Sequence, residues 1–216
     1  MERYDTDMLN TAPKSRFRKY FLTALLICAA MLAAGGGWFW WMSAQPQPIP
    51  QHLLKTGGDF TLQSFDGPVS LADYRGEVVL IYFGYTNCSD ACPVTLSNWA
   101  RAFKRLEDGD RQRVNGMLVS VDPGRDTPEL LKDYATYFDA RIVGVTGSDA
   151  ELADVTLQYR ADYVYDPPEE DGSYHVNHTS FVYVVGPDGK VRSLLNHDSR
   201  PDEIIHNVKD ALKVRG

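Results

Sequence analysis

The sequence predicts a three-layer α/β sandwich behind one transmembrane helix, and three observations predict it. From residue 57 onward, strand-like runs alternate with runs at helical spacing and close in a strand hairpin and a helix, the pattern of a sheet covered on both faces. Residues 77–85 form a nearly continuous β-branched and aromatic run that feeds straight into a helix start holding two cysteines, which is the thioredoxin-like arrangement. Residues 21–42 contain no charged side chain.

That apolar run sets the compartment. Its 22 residues exceed the ~20 needed to cross a hydrocarbon core. Trp38, Phe39, Trp40 and Trp41 end it with aromatic side chains suited to a membrane interface, and Lys14, Arg16, Arg18 and Lys19 precede it. The positive-inside rule keeps residues 1–20 as a cytoplasmic tail and exports everything after Met42. A cleaved signal peptide is the competing reading, but the run outlasts a usual signal h-region and ends in bulky tryptophans. The expectation is a single-pass protein of the bacterial cytoplasmic (inner) membrane, N-terminus inside, with its C-terminal domain on the periplasmic or outer face. Residues 43–56, with Gln45-Pro46-Gln47-Pro48-Ile49-Pro50, read as a Pro/Gln-rich extended linker. Residues 57–216 read as one folded domain.

Composition narrows the function. At 44% hydrophobic and 24% charged, the chain is neither disordered nor collagen-like. Its net charge is −7, and residues 1–20 carry five basic against three acidic side chains, so the acidic excess lies in the rest. A nucleic-acid binder would need a basic face. Three cysteines do not make a disulfide scaffold. Cys28 lies in the apolar run and reads as a small apolar residue there.

Within the exported domain, residues 60–63 and 69–71 flank Asp66-Gly67, an N-terminal β-hairpin. After the run at 77–85, Leu96, Trp99, Phe103 and Leu106 mark a helix. Residues 114–121 read as a second buried strand. Thr127-Pro128-Glu129 caps and opens a helix through Phe138. Residues 142–145 are a third strand, and Ser148 with Glu151 forms a capping box. Residues 180–185 and 191–195 bracket a Gly186-Pro187-Asp188-Gly189 turn, and residues 201–214 close the chain with an amphipathic helix.

The chemistry sits at Cys88-Ser89-Asp90-Ala91-Cys92-Pro93. Pro93 belongs in the first turn of a helix, which begins around residues 89–92 and brings both sulfurs to its positive end. The expected result is a depressed thiol pKa, most safely for Cys92. Thiol exchange of the thioredoxin type uses Cys-x-x-Cys, whereas these cysteines are four apart. At helical spacing they would project from one face about 6 Å apart, suited to a shared metal. The segment entering the strand at 180 supplies His175 and His178 as further donors. His178 is the stronger of the two, and the pattern leaves His175 open. Thiolate and imidazole together suit Cu(I), and can also hold Cu(II) or Zn(II). A metal carrier is favoured over a thiol reductant, which stays open.

These residues carry a resemblance. Residues 83–93 (Phe-Gly-Tyr-Thr-Asn-Cys-x-x-x-Cys-Pro), residues 120–129 (Ser-Val-Asp-Pro-x-Arg-Asp-Thr-Pro-Glu) and Val176-Asn177-His178-Thr179-Ser180 resemble the Sco/SenC copper chaperones of cytochrome c oxidase assembly, over about residues 56–214. The resemblance implies a thioredoxin-like domain that binds one copper ion, Cu(I) and also Cu(II), through Cys88, Cys92 and His178. It implies delivery of copper to the copper A site of cytochrome c oxidase subunit II, as a metallochaperone rather than an enzyme. The alternative is a thiol–disulfide oxidoreductase that reduces the subunit II cysteines with Cys88 and Cys92 as its redox pair. His178 falls on the family's ligand histidine and His175 does not. Asn177 stands where many members have Asp, a change that could alter imidazole orientation. Because the periplasm oxidises exposed thiols, a periplasmic thiol reductant or copper donor is a further expected partner. Asp122, Arg125 and Asp126 read mainly as turn and helix-start scaffold, with docking as the minority view.

Overall fold

The structure, a computed structural model, describes residues 14–43 and 56–214. Residues 1–13, most of the linker expected over 43–56, and the last two residues lie outside that description. Two units result, divided at residue 48. The first holds α1, Lys14–Ser43, within which Tyr20–Trp38 is long and apolar enough to cross a membrane.

The second unit is built on one sheet. A hairpin of β1 (Thr61–Ser64) and β2 (Gly67–Ser70) comes first, its turn falling at Phe65-Asp66, one residue before the expected Asp66-Gly67, with Gly67 already in β2. A short 3-10 turn, Leu71–Tyr74, leads to β3, Val78–Gly84. Then follow α2 (Ala91–Arg105), the short α3 (Asp108–Arg111), β4 (Val114–Ser120), α4 (Pro128–Phe138), β5 (Ile142–Val145) and α5 (Asp149–Tyr159). The pair β6 (Tyr163–Tyr165) and β7 (Val176–His178) precedes β8 (Phe181–Val185), β9 (Val191–Asn196) and α6 (Pro201–Leu212). The main sheet runs β5-β4-β3-β8-β9, parallel from β5 to β3 and antiparallel from β3 to β9.

β3 is central because its sequence is apolar on both faces. Val78, Leu80 and Tyr82 pack with Leu96, Trp99 and Phe103 of α2, Leu131 of α4 and Val208 of α6. Val79, Ile81 and Phe83 pack the other way, with Leu62 of β1 and Leu152, Val155 and Tyr159 of α5. The period of two along a strand thus divides one run between two cores, as expected when both sheet faces are covered. The layers are α2, α4 and α6, then the sheet, then α5 with the hairpin.

The helix starts follow their sequence signals. Thr127 Oγ1 accepts from the Leu130 amide with Pro128 in the first turn, and Ser148 and Glu151 bond reciprocally. One expectation needs correction. α2 begins at Ala91, so Cys88 lies before the helix, and the cysteines do not share a helical face. The β6–β7 pair was not expected. Its strands are three residues each, too short for periodicity to register.

The end of β3 leaves no room for a side chain where α2 crosses it. A Cβ added to Gly84 would stand 2.8 Å from Cys92 Sγ, 3.2 Å from Tyr82 and 3.3 Å from Leu118. Gly84→Ala is expected to cost about 1–3 kcal/mol through overpacking, measured by denaturant unfolding. Gly109→Ala, whose new methyl meets nothing within 4 Å, should leave stability at or above wild type. Equal stability of both variants would contradict this packing.

Candidate metal centre

Three donors converge where β3 ends. Cys92 is the second residue of α2 and fully buried. Cys88 is half-buried in the preceding loop, its amide donating to the Tyr85 carbonyl at 3.4 Å. His178 closes β7, whose pairing with β6 sets it opposite Tyr163. Its ring meets Tyr82 and Tyr85 edge-on, with centroids 5.6 and 5.9 Å away. The two sulfurs and one ring nitrogen all lie within 4.8 Å of one another. Among the described residues no other group of three or more such donors forms.

The hydrogen bond at the far side of the ring selects a tautomer. His178 Nδ1 lies 3.1 Å from the Thr179 carbonyl oxygen. A carbonyl only accepts, so Nδ1 carries a proton, which leaves Nε2 as the nitrogen a metal could take.

The sulfurs are not equivalent. Cys88 is held far below the usual thiol range, at about 3. The chief cause is a hydrogen bond from the Cys92 thiol, opposed by burial and assisted by a hydrogen bond with His178. Cys92 is pushed strongly upward by the proton it shares with Cys88, by burial and by the negative Cys88 sulfur. This reverses the expectation that Cys92 would be the depressed thiol. The helix end does favour a thiolate, but the pair keeps one proton, and the fully buried sulfur retains it. The phenols of Tyr82 and Tyr134 are raised mainly by burial and next by the neighbouring Cys92, so they stay neutral beside the pair.

The other candidates separate from the site. The His175 side chain is 65% exposed and faces Glu169 at 4.0 Å, outside the cluster. Cys28 is exposed on α1. Asn177 donates its amide to Asp166 at 2.6 Å, so it ties down its own strand pair. Asp122 and Asp126 are fully buried and offer no docking surface. Asp126 accepts from the Thr86 amide (2.9 Å), the Thr86 hydroxyl (2.5 Å) and the Ser120 hydroxyl (2.6 Å). Sequence reasoning missed Thr86, Tyr85 and Tyr174 as supports for the site. The one local signal was the position of Thr86 two residues ahead of Cys88.

Two soft sulfurs and one imidazole, with one sulfur half-exposed, fit a soft cation with coordination positions left open. An ion here would displace the remaining thiol proton.

The SCO1/SenC family matches residues 50–213. The mitochondrial SCO2 homolog of Mus musculus is 34% identical over 154 residues, covering 70% of this chain and 60% of that protein. The chain thus spans about three fifths of that relative's length. The structure of Bradyrhizobium japonicum ScoI with copper bound is 36% identical, with a TM-score of 0.63, covering 72% of this chain and 99% of that one. A structure described as identifying a disulfide switch in BsSco, a member of the Sco family of cytochrome c oxidase assembly proteins, is 32% identical. Its TM-score is 0.58, over 74% of this chain and 95% of that one. These structures share the thioredoxin-like fold described above.

The asymmetry of the thiols is directly measurable by alkylation with peptide mapping of the metal-free protein. Cys88 should react at a rate nearly flat from about pH 5 to 8 and slow only in stronger acid, as its thiolate is protonated. Cys92 should stay unmodified while the fold is intact. Because the folded pKa of Cys88 lies below its unfolded value, its contribution to stability is present at alkaline pH. It is lost as pH falls toward about 3. Parallel titration of both thiols near the free-cysteine value of ~8.5 would contradict this assignment.

Proposed function

The chain belongs to the SCO1/SenC family, and on that premise we propose that it is a membrane-anchored copper metallochaperone. Its ligands are Cys88, Cys92 and His178, for one copper ion as Cu(I) and also as Cu(II). The proposed role is delivery of copper to the copper A site of cytochrome c oxidase subunit II during assembly. The observation that carries this reading is the convergence of two sulfurs and one ring nitrogen within 4.8 Å, in a family with a copper-bound relative. A structural site would favour four ligands and closure. This one has three and an open side at Cys88.

Copper is cargo here, and the residues divide the work of holding and releasing it. Cys88, thiolate and half-exposed, is the natural first point of contact for an incoming ion. Cys92, buried at the head of α2, gives up its proton as the ion settles. His178, fixed through Nδ1, supplies the third bond. Release runs the other way, with acceptor thiolates replacing Cys88 from the open side. The pair must arrive reduced, which calls for a periplasmic thiol reductant alongside a copper donor. The partition proposed is a cytoplasmic tail over 1–20, a transmembrane helix over 21–42, a linker over 43–56 and the copper-binding domain over 57–216. It sets the domain on the periplasmic face of the bacterial cytoplasmic membrane, N-terminus inside. The helix over Tyr20–Trp38 supports the anchor.

A second reading is favoured by one feature, a half-exposed thiolate beside a buried thiol. Cys88 could attack a subunit II disulfide to form a mixed disulfide. Cys92 would then attack the Cys88 sulfur and release the partner's second, still-bound thiol, oxidising this pair to a disulfide as the partner gains two electrons and two protons.

Replacement of His178 separates the readings. His178→Ala should lower copper affinity by about tenfold or more while leaving thermal stability near wild type. It should leave the rate of disulfide reduction largely intact. Unchanged copper stoichiometry and affinity in the folded variant would contradict the three-ligand assignment.

A further inference from the structure

We propose that Arg125 is the positioning residue for His178. With Tyr174 and Asp122 it clamps the strand pair that carries the imidazole to the same turn that holds the Cys88 loop. One turn would then set the spacing between imidazole and sulfurs. This rests on the metal-site reading above and extends it to a residue that touches no metal.

The need for a clamp follows from the size of the arm. β6 and β7 pair over three residues each and form a sheet of their own, apart from the main one. A two-stranded unit of that length is marginal by itself, and His178, the last residue of β7 and opposite Tyr163, is placed only as well as that pair is held. The turn from Asp122 to Asp126 is fixed, because the amides of Arg125 and Asp126 both donate to the Asp122 carbonyl, at 3.1 and 2.9 Å.

Three contacts bind the arm to this turn. Arg125 Nη1 donates to the Tyr174 carbonyl at 2.9 Å. Its guanidinium carbon sits 3.6 Å from the Tyr174 ring centroid. The Tyr174 hydroxyl donates to Asp122 Oδ1 at 2.8 Å, while Arg125 Nε pairs with the other oxygen of that buried carboxyl. Nearer the metal site, the same guanidinium lies 5.6 Å from the Tyr85 ring centroid. Tyr85 in turn accepts from the Val176 amide at 3.4 Å and packs edge-on against His178. The neighbouring residue, Asp126, grips Thr86 at the foot of the Cys88 loop. Imidazole and outer sulfur therefore answer to adjacent residues. A planar donor that stacks and bonds in two directions is needed here, which an ammonium does not provide.

A double-mutant cycle on the full chain in detergent tests this. Arg125→Met should weaken copper binding about tenfold, in the range expected for residues that orient a ligand. It should weaken binding no further when His178 is already alanine, because the lost contact is the same one. A merely structural role would lower affinity equally in both backgrounds, and that result, or a folded Arg125→Met variant with wild-type affinity, overturns the proposal. Tyr174→Leu carries the same two outcomes without leaving the Asp122 carboxyl stripped of its cation, should Arg125→Met fail to fold. Metal-free amide exchange gives an independent readout. Exchange in Tyr163–Tyr165 and Val176–His178 should rise at least about tenfold in the variant, with β3 unchanged. Unchanged exchange in the strand pair sinks the clamp. Wild-type copper binding by His178→Ala alone would instead sink the ligand assignment and leave the clamp to be judged by exchange.

Discussion

The centre depends on one buried carboxyl. Asp126 is fully buried and accepts hydrogen bonds from the amide and hydroxyl of Thr86 and the hydroxyl of Ser120. Thr86 stands two residues past the end of β3, and Ser120 is the last residue of the neighbouring parallel strand β4. Burying such a group without partners would cost several kcal/mol. Three donors offset that cost and, in doing so, fix the path of the chain from β3 into the Cys88 loop. The same negative charge adds to the forces that keep Cys92 protonated. The metal-free site is thereby biased toward one thiolate and one thiol, a state that a soft cation converts by displacing a proton.

Much of the fold was legible because local signals and tertiary demands agree. The run at 77–85 is apolar on both faces because β3 is covered on both faces, and its length matches its buried span. The Thr127 and Ser148 caps were readable because capping is a matter of side-chain type at fixed offsets. The thiol pair and His178 were readable from residue chemistry and order along the chain.

What escaped sequence reading is what depends on contacts distant in the chain. Spacing of four between cysteines suggested a common helical face, yet α2 starts at Ala91 and Cys88 lies before it. Which sulfur ionises was decided by burial and a shared proton, neither of which a helix-end argument contains. The β6–β7 pair is held by Arg125, Tyr174 and Tyr165, the last donating to the Val121 carbonyl at 2.7 Å. No periodicity marks three-residue strands flanking Pro167 and Pro168. Asp122 and Asp126 resemble surface turn acids in sequence, and only their partners reveal them as buried supports.

In the proposed site one soft ion is gripped by both sulfurs and the His178 imidazole together. X-ray absorption spectroscopy of the protein loaded with one equivalent of Cu(I) tests this most directly. The predicted spectrum has two sulfur scatterers and one imidazole nitrogen in the coordination sphere, with the imidazole multiple-scattering signal absent in His178→Ala. A sphere of sulfur alone in the wild-type protein, indistinguishable from that of the variant, would contradict it.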